Sequence, residues 1–300
     1  MIPFRSVLAV VDFSEASRGA LVLAARLTRH CGAELHVLHA EAPLLDAAAR
    51  HEGIDLARET YGALRQFVAS SWPAAHCSPQ LHVIAGPAVD VILDVAHEHR
   101  ADLVVIDRSS LSIAERLIHG STTEGLLRQA DVSVLVVPTA WMPPDADALD
   151  TSRLGPLVVV ANPSDPLSVP AAKAACQLAS VLGTSVKIVH VVPGLQGMRR
   201  WRAHAAAAVR DRVASARQEL EQMIRGLGSS VPVEMRVEAG AVANRLAEAA
   251  GPTSDRAPIL VLGRKAPGSK GVVAGTIAYR VLSAANVPIL MYVADQIVGL

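Results

Sequence analysis

The chain is expected to fold as an α/β protein built from two tandem, doubly wound domains, each around a five-stranded parallel sheet. Three observations predict this. The 300 residues suffice for two ordinary domains that each bury a core. Short continuous Val/Ile/Leu runs alternate with helical stretches, the signature of parallel strands covered on both faces. The pattern then recurs at an offset of about 150 residues.

Strand one is Ser6–Val11 (SVLAVV), ending at Asp12, and returns as Leu157–Ala161 (LVVVA), ending at Asn162. An Ala-rich helix follows in each half, Glu15–Cys31 and Val169–Leu182, closed by Gly32 or Gly183 as a left-handed cap. Strand two is Glu34–Ala40 against Ser185–Val191, which sets His39 opposite His190. A long polar-faced helix leads to strand three, near Gln80–Ala85 and Val231–Ala239, terminated by Gly86 or Gly240. Short helices, roughly Val89–His99 and Ala243–Ala250, precede strand four, Asp102–Asp107 and Pro258–Gly263. After a Ser- or Gly-rich loop, Gly120-Ser121 and Gly275-Thr276 open the last helix, and Ser133–Val137 and Pro288–Val293 form strand five.

The expected boundaries are a first domain over 1–140, a Pro- and Asp-rich linker over 141–155, a second domain over 156–294 and a tail over 295–300. Hydrophobic residues make up 51% of the chain and charged ones 19%, which excludes a disordered protein. The 28 basic residues balance the 28 acidic ones, so no net field favours nucleic acid or an anionic membrane. Cys31, Cys77 and Cys176 have no CxxC spacing and read as reduced thiols. The apolar run Val7–Val11 is far too short for a signal sequence or membrane span, so a cytoplasmic location is expected.

In a sheet of order 3-2-1-4-5, a ligand sits beyond the carboxyl ends of strands one and four, where the winding reverses. The residues there resemble the universal stress protein family. Val11-Asp12-Phe13-Ser14-Glu15 is similar to its strand-one signature, and the loop Asp107–Ser121 has the length of its G-x2-G-x9-G-[ST] nucleotide motif. The resemblance spans both halves. It implies that the strand-one carboxylate meets a ribose, that backbone after the strand-two histidine meets adenine, and that the glycine loop wraps phosphates. A glycine-rich loop feeding a helix N-terminus offers N–H donors to such an anion.

Carried over by residue, the first half keeps Asp12, Ala40 as the adenine-facing backbone position, Gly120 and Ser121. Asp107 and Ser110 replace its two leading glycines. A carboxylate about 6 Å from a phosphate costs about 3 kcal/mol at an effective dielectric of about 20, although Arg108 or a divalent cation would offset part of this. The second half keeps Val191, Gly263, Gly275 and Thr276, with Asn162 for the aspartate, Ala266 for the second glycine and a loop one residue short. Gly268 and Gly271 restore flexibility there, while Arg264, Lys265 and Lys270 make the loop basic.

Other constellations carry less. Nine of the eleven histidines lie in the first half, but His97 and His99 on a helix do not share a face, and neither do His36 and His39 on a strand. No metal set is expected, and His39 and His190 read as satisfied core or cleft histidines. No GxSxG elbow or GxxxxGK[ST] loop is present, so no catalytic residue is assigned. The Arg-rich stretch Met198–Gly226 reads as a solvated outer helix rather than a basic contact surface, because Asp211, Glu219 and Glu221 interrupt its charge.

The expected function is a non-enzymatic cytosolic stress or regulatory protein with degenerate adenine-nucleotide sites, the second half being the better one. Its cofactor would be ATP or another adenine nucleotide with Mg²⁺, or none. The alternatives are a slow ATP hydrolase or nucleotidyl-transfer enzyme, and a nucleotide-free scaffold for protein partners or an apolar ligand. Protein partners, pairing of the two halves through their fifth strands and further homodimerisation are expected, without nucleic acid or membrane.

Overall fold

A computed structural model of the chain describes residues 4–72, 78–108, 122–142, 153–194, 202–251, 256–266 and 276–293. The chain divides into two compact units. The first contains β1 (Ser6–Val10), α1 (Glu15–Cys31), β2 (Glu34–Glu41), α2 (Pro43–His51), α3 (Leu56–Ser71), β3 (Gln80–Ala85), α4 (Ala88–Glu98), β4 (Leu103–Asp107), α5 (Thr122–Gln129) and β5 (Ser133–Val137). The second contains β6 (Leu154–Val160), α6 (Ser168–Leu182), β7 (Val186–Pro193), α7 (Arg202–Leu227), β8 (Val233–Gly240), α8 (Val242–Ala249), β9 (Ala257–Arg264), α9 (Thr276–Ala284) and β10 (Ile289–Val293).

Continuous aliphatic runs become central strands because both of their faces are covered. Every residue of β4 and β5 is buried, whereas β3, at the edge of its sheet, has no buried residue. In the first unit the parallel order is β3-β2-β1-β4-β5; in the second it is β8-β7-β6-β9-β10. Each is the expected 3-2-1-4-5 order, so the switch point falls between β1 and β4, and between β6 and β9.

The glycine caps also form as expected. Gly32 and Gly183 adopt φ of 63° and 64°, and their N–H groups return to Thr28 and Ala179. The single long helix expected after β2 is instead two, α2 and α3. Gly53 turns at φ 72°, and Asp55 restarts the helix by accepting from the Arg58 N–H at 3.1 Å. In the second unit the corresponding helix, α7, is unbroken, and it buries Ala216 and Leu220. Strand β6 begins at Leu154, and its register with β9 shifts between Leu154 and Leu157, where Pro156 has no N–H to donate. Trp141, in the expected linker, is buried in the first unit against Gly19 of α1, where a Cβ would lie 2.5 Å from the Trp141 carbonyl oxygen. Among the described residues, no helix is long and apolar enough to cross a membrane.

Candidate functional site

The carboxyl ends of β1 and β6 carry the same polar scaffold. In the first unit the Asp12 N–H donates to Ser17 Oγ at 3.3 Å, and Asp12 Oδ1 accepts from the Ser14 N–H at 3.0 Å. In the second, the Asn162 N–H donates to Ser168 Oγ at 2.9 Å, and Asn162 Oδ1 accepts from the Ser164 N–H at 3.3 Å. The amide thus preserves the local turn that the carboxylate makes. Burial pushes the Asp12 carboxyl up, but hydrogen bonds from Ser14 and Ser17 outweigh it and hold the group below its ordinary range. Asp12 therefore stays ionised. Ser17 and Ser168 were missed in the sequence, although both recur in the repeat with a one-residue drift.

Strand two is tied to strand one by its histidine. His39 Nδ1 lies 2.9 Å from the Val11 carbonyl oxygen, and His190 Nδ1 lies 2.8 Å from that of Ala161. A carbonyl only accepts, so Nδ1 is the donor in both rings. These are the satisfied histidines the repeat implies.

The two positions expected to face adenine, Ala40 and Val191, are placed by strand alternation. The last bonds from β2 and β7 toward their inner neighbours are made by the Leu38 carbonyl to Val11 and the Val189 carbonyl to Ala161. Two residues further, Ala40 and Val191 carry their N–H and C=O on that same side, beyond the end of β1 or β6.

In the second unit this edge opens onto a cleft of about 750 Å³. Asn162, His190, Val191 and Gly263 line it together, with Leu167 and Arg212 among its other walls. Asp165, Asp211 and Glu219 add carboxylates on the same lining, so its charge is mixed. Gly263 has a packing reason to be glycine: a Cβ there would lie 2.8 Å from the Leu167 carbonyl oxygen and 2.9 Å from Leu167 Cβ. Thr276 begins α9, and Ala278 of that helix lines the cleft. Gly275, Gly268, Gly271 and Lys270 lie outside the described residues.

The first unit differs at the same place. Phe13 adopts φ 65°, an uncommon conformation for a bulky side chain, and its ring packs 4.5 Å from His39 and edge-on to Phe67 at 5.7 Å. Arg18 lies over the other aromatic, with its guanidinium 4.4 Å from the Phe67 ring centre. The second unit has Pro163 at this position, on the cleft wall. Glu41, buried at the end of β2, accepts from Thr60 Oγ1 at 2.8 Å. Asp107 is buried at the end of β4, in the place of Gly263. Gly120, Ser121 and Ser110 lie outside the described residues.

Residues 3–138 match the family model for the universal stress protein family. A curated Staphylococcus aureus relative described as a universal stress protein is 27% identical over 152 residues, which is 48% of this chain and 90% of its own. In fold, the chain is similar to a functionally unknown protein from Pseudomonas aeruginosa, with a TM-score of 0.64 at 18% identity, over 98% of this chain and 94% of that one. It is also similar to a universal stress protein from Archaeoglobus fulgidus, with a TM-score of 0.63 at 17% identity, over 97% and 96% of the two chains. Residues 3–138 belong to the universal stress protein family, and the chain as a whole carries the fold of its universal stress protein neighbours twice in tandem.

Proposed function

We propose that the chain is a non-enzymatic, cytosolic stress-response or regulatory protein whose second unit holds an adenine nucleotide and whose first unit holds one more weakly. The observation that carries this reading is the cleft of about 750 Å³ in the second unit, which gathers Asn162, Val191 and Gly263. Its volume falls within the range of about 300–1,000 Å³ common for small-molecule clefts. The backbone edge that Val191 presents beyond the end of β6 suits the hydrogen-bonding rim of adenine, and Asn162 suits a ribose hydroxyl. The phosphates would run toward Gly263 and the start of α9, where Arg264 and Lys265 follow; Mg²⁺ would accompany them and screen the carboxylates of the lining. In the first unit the buried Asp107 stands where phosphate oxygens would approach, and Phe13 packs against His39. Both oppose binding there.

Calorimetry of ATP with Mg²⁺ on the full chain tests the assignment. One dominant site is expected, weakened about a hundredfold by Gly275→Asp, which sets a like charge against the phosphates. Tight binding untouched by that substitution would show the site to be elsewhere. Pairing of the two halves through β5 and β10 belongs to the same proposal, with homodimers as a further state. Sedimentation of the full chain beside a Leu135→Lys variant measures it: an unchanged state and stability in the variant would remove the pairing.

A further inference from the structure

Three histidines distant in sequence meet on the first unit, away from the switch point. In the β2–β3 ladder His36 pairs with Gln80 and Leu38 with His82, so His36 and His82 are diagonal neighbours on one face. Helix α4 delivers the third: His99 is its C-terminal cap, and its carbonyl accepts from Ser6 Oγ at 3.1 Å. His36 Nδ1 and His82 Nε2 are 3.1 Å apart, and one nitrogen from each of the three rings lies within 4.8 Å of the others. The ring centres of His36 and His99 are 4.3 Å apart, and those of His82 and His99 are 4.6 Å apart.

This cluster is poorly satisfied by protein alone. His36 is 1% exposed, and its Nε2 has no hydrogen-bond partner, a costly condition for a buried polar atom. Burial, together with the neighbouring imidazoles, lowers the His36 and His82 ring pKa values, so both rings keep a lone pair in neutral solution. Glu34 and Glu98 are the facing acids that oppose this lowering.

We propose that His36, His82 and His99 bind a divalent transition metal of the zinc class. Nitrogens about 2.0–2.1 Å from a tetrahedral zinc stand about 3.3 Å apart, close to the separation already present between His36 and His82. With His36 ligating through Nδ1, its Nε2–H would face Glu34 Oε2, now 3.8 Å away, in the carboxylate–histidine–metal arrangement that orients such rings. His82 and His99 are partly exposed and leave an entry path with room for a water as fourth ligand. The site is private to the first unit. By register from His39 and His190, the second unit has Lys187 and Arg236 in place of His36 and His82, and Ala250 caps its helix α8. A metal here is therefore no part of the duplicated nucleotide cleft.

Zinc titration of chelator-stripped full chain by calorimetry, with Co²⁺ absorption as a second readout, tests the proposal. One ion per chain is expected, with tetrahedral Co²⁺ bands, a zinc-dependent rise in melting temperature, and unchanged binding in the His97→Ala control. His82→Ala and His99→Ala, at partly exposed positions, should each weaken binding about a hundredfold or more, and Glu34→Gln about tenfold. Absence of a stoichiometric site would overturn the proposal, as would a His82→Ala/His99→Ala protein that folds and binds zinc like the parent.

Discussion

Gly263→Ala isolates why a glycine stands one residue before the end of β9. The added Cβ would sit 2.8 Å from the Leu167 carbonyl oxygen and 2.9 Å from Leu167 Cβ. One of those atoms is backbone, so no side-chain rotation clears the contact, and the loop before α6 must move by several tenths of an ångström. Overpacking of this kind costs about 1–3 kcal/mol. For a unit of this size, about 3–4 °C of melting temperature accompanies each kcal/mol, so the second unit should melt about 3–12 °C lower. Because Leu167 also lines the cleft, the same shift should weaken the nucleotide binding proposed there. Scanning calorimetry with and without ATP provides the assay. Leu167→Gly in the same chain removes one of the two contacts and should restore part of the loss, a coupling that a distant pair would not show. An unchanged melting temperature in Gly263→Ala would refute the close approach and leave the proposed phosphate contact as the reason for the glycine.

Four other outcomes follow from the structure. Gly19→Ala raises helix propensity by about 1 kcal/mol yet should destabilise the first unit, because the new Cβ meets the Trp141 carbonyl at 2.5 Å; a red-shifted tryptophan emission would mark the displaced ring. Ser168→Ala strips the Asn162 N–H of its acceptor and should cost about 1–3 kcal/mol in urea unfolding, while Val169→Ala, on the exposed side of α6, should cost little. His82 titrates at about 4 against an ordinary 6.5, chiefly through burial. The unfolded chain therefore takes up the proton first, and metal-free protein should lose stability as pH falls from 6.5 toward 4. The loss should be about 2 kcal/mol after allowance for partial exposure, and a His82→Gln variant with the same pH slope would contradict it. Burial pushes the Cys31 thiol up to about 11, so in a Cys77→Ser/Cys176→Ser chain it should resist a thiol reagent in mildly alkaline buffer until urea unfolds the protein; prompt labelling of folded protein would count against its burial.

Much of this architecture is legible in one sequence, for local reasons. Strands such as Leu103–Asp107 announce themselves because a strand buried on both faces needs an unbroken apolar run. Gly32 and Gly183 mark helix ends because their conformation strains any other residue. The break at Gly53 and Asp55 carried the same kind of signal, yet the expected helix ran through it.

The candidate site was legible only in part. Asp12, Asn162, Ala40 and Val191 could be placed by counting from strand ends. Phe13 could not, since its packing depends on His39 and on Phe67 from a later helix. Nor could the reason for Gly263, which lies in the backbone of a loop about a hundred residues earlier.

The sequence by itself determined the duplicated α/β fold, its strand order and the position of the switch points, because periodicity and repeat are properties of neighbouring residues along the chain. Tertiary structure alone decided which cleft stands open around Val191, which glycine is held by packing, and that His36, His82 and His99 converge. Local spacing compares residues within one element, whereas these features arise where a strand, its neighbour and a helix end are brought together through space.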